Sequence, residues 1–104
     1  MICFPELDAD AWFDWDPGKS EQNKRRRGFD FEFAALVFFD PDLLFVEDRI
    51  TEQGEERTLA IGRIGHFIYV VCFTERIYGD KNVTWIISAR RAERHEEDSY
   101  YARL

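Results

Sequence analysis

The sequence has 104 residues, of which 45% are apolar and 34% are charged, so it suits one globular domain rather than a disordered chain. Its formal net charge of −7 argues against indiscriminate nucleic-acid binding, because a negative surface repels a polyanion. The sequence also lacks an apolar run of the roughly 20 residues in a membrane span, a secretory signal, and cysteines spaced for disulfides or metal. We therefore expect a cytoplasmic protein without a metal or a cofactor.

The first predicted elements are a strand and a helix. The run "AWFDW" (11–15) is short and rich in apolar residues, which favours a strand. Asp16 and Pro17 are typical of a helix start, because Asp caps the first turn and Pro suits the first helical position. Gly28 predicts the end of this helix, and the four cations before it suit the negative end of the helix dipole.

A second helix is predicted over "FEFAALVFF" (31–39), which begins after the capping residue Asp30 and stops before Asp40 and Pro41. After this point the periodicity changes from helical to strand-like. Strands are predicted at 43–48, 57–64, 67–76 and 82–89, and a final helix is predicted in the tail from 90 to 104.

The order of these elements predicts an α+β fold. Consecutive strands with short connections favour antiparallel pairing, so we expect two N-terminal helices and a C-terminal helix on one side of an antiparallel sheet of about four or five strands. Residues 67–73 are apolar without alternation, which is typical of a central strand. In 82–89, Val83, Trp85 and Ile87 predict an apolar face, and Arg90 falls in phase with the opposite, mixed face.

The first helix has an unusual composition, because residues 17–27 contain no large apolar side chain. Such a helix gains little stability from packing. One explanation is a solvated helix that is held by its caps and its neighbours. The other is a helix selected for what its cations contact, since Lys19, Asn23 and Arg26 or Arg27 share a face on which a phosphodiester can bind.

The segment "FDWDPGKSEQNKRRRGFDFEFAALVFFDPD" resembles the opening of the BrnT family of bacterial type II toxins. Three later segments resemble parts of the same family in the same order. They are "GEERTLAIGR" (54–63), "VVCFTER" (70–76) and "IISARRAERHEEDSY" (86–100). The resemblance covers about residues 12–101, which is most of the chain.

This resemblance implies a RelE-like fold, with residues 1–104 as a single toxin domain. It also implies a metal-independent ribonuclease that cleaves RNA and inhibits translation. The implied partner is a BrnA-like antitoxin with a ribbon-helix-helix domain, in a hetero-oligomer that contacts operator DNA only through the antitoxin.

Metal-independent RNA cleavage requires a base for the 2′-hydroxyl, a proton for the leaving oxygen, and stabilisation of the phosphorane charge. Arg90 is our first candidate for charge stabilisation, Arg57 and Arg76 are further candidates, and Glu55 and Glu75 are the candidate bases, of which the first is preferred. The alternatives are a surface salt bridge at Arg90 and a simple ion-pair role for Glu55. The predicted residues for RNA phosphate are Lys19, Asn23, Arg26 and Arg27.

One position departs from the family pattern. The family usually has Lys-His before the glycine, where this chain has Arg26 and Arg27. An arginine stays protonated and offers no base, so this chain has lost a proton-transfer step or assigned it elsewhere if the family histidine transfers a proton. If that histidine only contacts phosphate, Arg27 is an adequate substitute. A catalytically weakened binding module, which serves mainly as antitoxin partner and co-repressor, is therefore the alternative function. Convergence of the predicted cations in one cleft would favour the nuclease.

Overall fold

A six-stranded mixed sheet forms the centre of the structure, a computed structural model that describes residues 1–104. The strands are β1 (Ile2–Phe4), β2 (Asp8–Trp15), β3 (Leu44–Ile50), β4 (Glu56–Ile64), β5 (Phe67–Tyr78) and β6 (Lys81–Arg91). Their spatial order is β1-β2-β6-β5-β4-β3, and every neighbouring pair is antiparallel except the parallel pair β2–β6. The α+β class and the antiparallel run from β3 to β6 are confirmed.

The prediction of an entirely antiparallel sheet with at most five strands was wrong in two respects. Strand β1 has three residues, which is too short to show an alternating pattern in the sequence. The parallel pairing of Trp12 with Val83 and of Trp15 with Ile86 joins parts of the chain that are far apart in sequence. Strand order across such distances leaves no local signal.

Three α-helices and one 3-10 helix accompany the sheet. They are α1 (Pro17–Arg27), α2 (Phe31–Ala34), the 3-10 helix Ala35–Phe39 and α3 (Arg94–Ala102). None of these helices has the length and apolar character needed to cross a bilayer. The final helix begins later than predicted, because β6 continues to Arg91.

The predicted caps of the N-terminal helices are confirmed. The Asp16 carboxylate accepts hydrogen bonds from the N–H groups of Gly18 and Lys19, at 2.8 and 3.3 Å. Gly28 has a positive φ of 87° and donates its N–H to the carbonyl of Lys24, which ends α1. The Asp30 side chain accepts from the N–H of Phe33 and so caps α2.

The second helix is not one continuous α-helix, contrary to the prediction. Four α-helical residues pass into the 3-10 helix, whose Val37 is fully buried against β4. An ideal Cβ at Gly62 would lie only 3.0 Å from the Cβ of Val37, so the absence of a side chain at Gly62 permits this close approach. The change in helix type accompanies that contact.

The helices lie on both faces of the sheet rather than on one. Helix α2 and the 3-10 helix cover the larger core cluster, which includes Phe13, Val71 and Phe73. Helix α3 packs on the other face, where Tyr100 belongs to a second core cluster with Val70. Because side chains alternate along β5, neighbouring residues join opposite cores. Residues 68–74 of β5 are all buried, which confirms a central strand.

A β-bulge in β6 changes the predicted face of its second half. Cys72 pairs with Ser88 and Phe73 pairs with Ile86, which leaves Ile87 as the extra residue. Arg90, opposite Val70, therefore lies on the α3 side of the sheet. The simple alternation that grouped Val83, Trp85 and Ile87 was wrong, because the buried residues of β6 are Val83, Ile86 and Ala89.

Candidate functional site

A cleft lies between helix α1 and the edge of β6, with a volume of about 320 Å³. Strand β2 pairs with β6 only as far as Ile86, and beyond that residue α1 lies beside the strand in place of a neighbour. We call this cavity the helix cleft. Its lining residues are Lys19, Gln22, Asn23, Arg26, Arg27, Phe31, Ile87, Ser88, Ala89 and Arg90. All four predicted phosphate-binding residues are therefore brought together.

Polar contacts, rather than an apolar face, hold α1 in place. The hydroxyl of Ser20 is buried and accepts the N–H of Phe31 at 3.0 Å. The side-chain amide of Asn23 donates to the carbonyl of Phe29 at 2.9 Å. Contacts of Ser20 and Asn23 with the following segment thus hold α1 in place, and Asn23 has a structural contact as well as a place in the cleft.

The cations of α1 have no counter-ions within the protein. None of the ion pairs in the structure involves Lys19, Lys24, Arg25, Arg26 or Arg27. A run of unpaired cations on a chain of net charge −7 concentrates positive potential on one small surface. This surface attracts an anion of several charges more strongly than the rest of the protein does.

Arg90 borders the helix cleft, but its guanidinium is already bound. Its Nη1 and Nη2 atoms donate to both carboxylate oxygens of Glu96, at 2.7 and 2.8 Å. The hydrogen bond from Arg90 holds the pKa of Glu96 below its ordinary value, and the same bond raises the pKa of Arg90. Glu96 also accepts the N–H of Glu93 and completes a capping box for α3.

The remaining predicted residues form a second group, away from the helix cleft. The carboxylate of Glu55 lies 3.5 Å from Nε of Arg57 and 3.7 Å from Nη2 of Arg76. The guanidinium of Arg76 also stacks on Trp85, 4.0 Å from the ring centre. We call these four residues the sheet-face cluster. Arg57 and Arg76 do not converge with the α1 cations in one cleft, which is the arrangement that would have favoured the nuclease.

The helix cleft and the sheet-face cluster nevertheless have residues on the same face of the sheet. Strand alternation places Arg57, Arg76 and Arg90 on the same face, the one that α3 partly covers. Ser88 lines the helix cleft and pairs with Cys72, whose neighbours include Arg57. Burial raises the pKa of the Cys72 thiol. Ser88 therefore lies on the face of the sheet that carries the sheet-face cluster.

Two contacts of the C-terminal segment were not predicted from the sequence. Glu96 binds Arg90 as described, and the hydroxyl of Tyr100 donates to Asp40 at 2.6 Å. Burial and the Asp40 carboxylate raise the pKa of Tyr100 to about 12. Burial alone would raise the pKa of Asp40, but hydrogen bonds from Tyr100 and the N–H of Arg63 and Asp42 lower it. The two contacts, Glu96 with Arg90 and Tyr100 with Asp40, therefore join α3 to the body of the protein.

No group of three or more potential ligands among His, Cys, Asp and Glu is arranged to hold a metal ion. The two histidines, His66 and His95, are both exposed, and neither lines the helix cleft.

Comparison with known families identifies the chain. Residues 15–96 match the family described as the ribonuclease toxin, BrnT, of type II toxin-antitoxin systems. The chain belongs to the BrnT family. A search of curated proteins finds no match. Type II toxins act with an antitoxin, so membership of the BrnT family implies an antitoxin partner. The matched region contains α1 and β3 to β6, and so it includes both the helix cleft and the sheet-face cluster.

The residues that resemble BrnT motifs fall into two sets in the structure. Asp16 and Gly28 cap the two ends of α1, and Phe31 is buried at the start of α2. Glu96 and Tyr100 form hydrogen bonds with other elements. A second set has no such structural contact. Lys19 and Arg26 belong to it, because they line the helix cleft without an ion pair.

Proposed function

We propose that this BrnT protein is a metal-independent endoribonuclease that cleaves RNA in the cytoplasm and so inhibits translation. The single observation that carries the proposal is the helix cleft, which Lys19, Arg26 and Arg27 line without any counter-ion. Arginine and lysine side chains supply charge-assisted donors for phosphodiester oxygens. A protein that is acidic elsewhere directs a polyanion to this one surface.

In the proposed mechanism, the RNA backbone binds in the helix cleft and extends over Ser88 to the sheet-face cluster. The Glu55 carboxylate removes the proton from a 2′-hydroxyl, and the 2′-oxygen attacks the adjacent phosphorus. Arg57 and Arg76 flank that carboxylate and stabilise the negative charge of the phosphorane. The 5′-oxygen leaves with a proton from water, so the products are a 2′,3′-cyclic phosphate and a 5′-hydroxyl.

Arg57 suits this role because its guanidinium makes no hydrogen bond within the protein. Its Nε atom lies nearest the Glu55 carboxylate, at 3.5 Å, and the terminal nitrogens have no hydrogen-bond partner in the protein, so they can donate to a phosphoryl oxygen. Arg90 has the opposite character, since Glu96 occupies both of its terminal nitrogens. We assign Arg90 a positioning role at the wall of the helix cleft.

A catalytically weakened binding module remains the second candidate. Three observations favour it: Arg57 and Arg76 lie outside the helix cleft, Arg90 is engaged by Glu96, and Arg27 stands where the family usually has a histidine. Such a module would serve mainly as antitoxin partner and co-repressor. In both candidates the proposed partner is a BrnA-like ribbon-helix-helix antitoxin in a hetero-oligomer, which alone contacts operator DNA. The net charge of −7 favours a basic antitoxin segment.

Inducible expression with and without the neighbouring antitoxin gene separates the two candidates. The nuclease arrests growth when it is expressed alone, and the purified protein cleaves labelled RNA in the presence of EDTA. The cleavage products carry 2′,3′-cyclic phosphate ends. Normal growth, together with RNA that stays intact while the antitoxin still binds, would favour the binding module instead.

A further inference from the structure

A second groove continues from the helix cleft around the C-terminal end of α1. Its volume is about 400 Å³, and Arg27 lines both cavities. Its walls combine the cations Lys24, Arg27 and Arg91 with aromatic rings from two parts of the chain. The rings belong to Phe29, Phe33, Phe67 and Tyr69. We call this cavity the aromatic groove.

The aromatic groove has a rigid floor and an exposed wall. Tyr69 is buried, and its ring meets Phe29 and Phe33 edge to face, at centroid distances of 5.1 and 5.4 Å. Phe67 is 49% exposed and takes no part in either core cluster. The guanidinium of Arg91 stacks on the Phe67 ring at 3.7 Å. The Phe67–Arg91 pair therefore forms a flat, solvent-accessible surface beside the buried ring of Tyr69.

The aromatic groove has a net positive charge, because three cations and one carboxylate line it. Lys24, Arg27 and Arg91 form no ion pair with any carboxylate. The one acidic lining residue, Asp30, uses a carboxylate oxygen to accept the N–H of Phe33. Unpaired cations beside an exposed ring are the two features that bind single-stranded nucleic acid, since every base has a face for stacking and every nucleotide has a phosphate.

We infer that the aromatic groove is a base-binding subsite for single-stranded RNA. One base stacks on the Phe67–Arg91 pair, while Arg27 holds the phosphate that connects this nucleotide to the helix cleft. The inference rests on the proposed ribonuclease function and adds a binding site for the nucleotide that flanks the bound backbone. Stacking tolerates all four bases, so the subsite adds affinity without strict sequence preference.

The test measures binding of a short, fluorescein-labelled 2′-O-methyl RNA by anisotropy. This probe resists cleavage because its 2′-oxygen carries no proton to lose. We expect Phe67→Ala and Arg91→Gln each to weaken binding by roughly tenfold, since a stacked base supplies that much affinity. The matched control is Ile77→Ala, which removes an apolar side chain that is 77% exposed and lies outside the groove. Its affinity and all melting temperatures should stay at the wild-type values.

A set of probes with one abasic residue at each position in turn identifies the stacked base. For the wild type, one abasic position should weaken binding by roughly tenfold, and for Phe67→Ala that same position should have no effect. Equal sensitivity of both proteins at every position would overturn the subsite.

Other outcomes separate this inference from the proposed function. RNA binding that depends on Arg26 but not on Phe67 overturns the subsite alone. Failure of the wild type to bind or cleave any RNA overturns the ribonuclease proposal and the subsite with it. If Phe67→Ala abolishes co-purification of the antitoxin and leaves RNA affinity unchanged, the groove is a protein interface and the inference is wrong.

Discussion

Arg90 and Glu96 form a two-pronged ion pair that joins the end of β6 to the first turn of α3, with distances of 2.7 and 2.8 Å. Glu96 is only 7% exposed, so water screens this pair weakly. The pair therefore contributes to the stability of the fold, in contrast to the unpaired cations of α1.

The first prediction concerns this pair. Glu96→Gln should lower the free energy of unfolding by about 2 kcal/mol at neutral pH, because it leaves a partly buried guanidinium without its counter-ion. The pKa of Glu96 lies below its ordinary value of 4.5 in the folded protein. The stabilisation is thus fully present above pH 4.5 and is lost as the pH falls through the folded pKa. Urea denaturation of both proteins across the acid range should show the difference shrinking.

Glu97→Gln is the matched control, because Glu97 is exposed in the same turn and forms no ion pair. If Glu96→Gln and Glu97→Gln have the same stability at every pH, the Arg90–Glu96 pair contributes nothing.

The second prediction uses two neighbouring arginines of α1. Arg26→Ala should weaken RNA binding and cleavage by at least about tenfold, whereas Arg25→Ala, whose side chain does not line the helix cleft, should have little effect. Both side chains are exposed, so both variants should unfold within about 0.5 kcal/mol of the wild type. The slope of log affinity against log salt should fall by about 0.7 for Arg26→Ala only. Equal loss in both variants would indicate a diffuse charge effect without a defined cleft.

The third prediction tests the proposed base. Glu55→Gln should reduce the cleavage rate by roughly a hundredfold to ten-thousandfold, because the 2′-hydroxyl loses its proton acceptor. Binding of 2′-O-methyl RNA should be retained, since the helix cleft is unchanged. Glu56→Gln alters the adjacent, exposed carboxylate, which has no ion pair, and should leave the rate near the wild-type value. A Glu55→Gln protein with normal cleavage would require a different base.

The fourth prediction concerns the departure from the family pattern. In the structure Arg27 is an unpaired cation that lines two cavities, which suits phosphate binding rather than proton transfer. Arg27→His should therefore leave cleavage equal or lower at neutral pH. Cleavage is measured across the pH range from about 5 to 8, where histidine titrates. An increase in rate with a pH dependence near 6–7 would show instead that this chain lacks a proton-transfer step.

The sequence predicted best those features that depend on near neighbours. Asp16, Gly28 and Asp30 mark helix ends through contacts that reach only a few residues along the chain, and all three are confirmed. The continuous apolar run in β5 likewise predicts, from its own residues alone, that this strand is buried. The cationic face of α1 was also predictable, because helical spacing alone sets it.

Features that depend on distant contacts were predicted less well. The parallel pairing of β2 with β6 follows from the path of the whole chain, and no residue in either strand encodes it. Ile87 forms a bulge because Ile86 and Ser88 pair with consecutive residues of β5. Simple alternation therefore assigned its neighbours to the wrong faces. The separation of Glu55 from the helix cleft arises from the same long-range geometry.

Arg27 lines both the helix cleft and the aromatic groove, so its replacement alters both cavities at once. If RNA binds as proposed, we expect the effects of Arg27 substitutions on RNA affinity to be epistatic with those of Arg26 and of Phe67. Changes at Arg26 and Phe67, which line different cavities, should combine additively. The residue at position 27 should then set how strongly substitutions in either cavity affect RNA affinity.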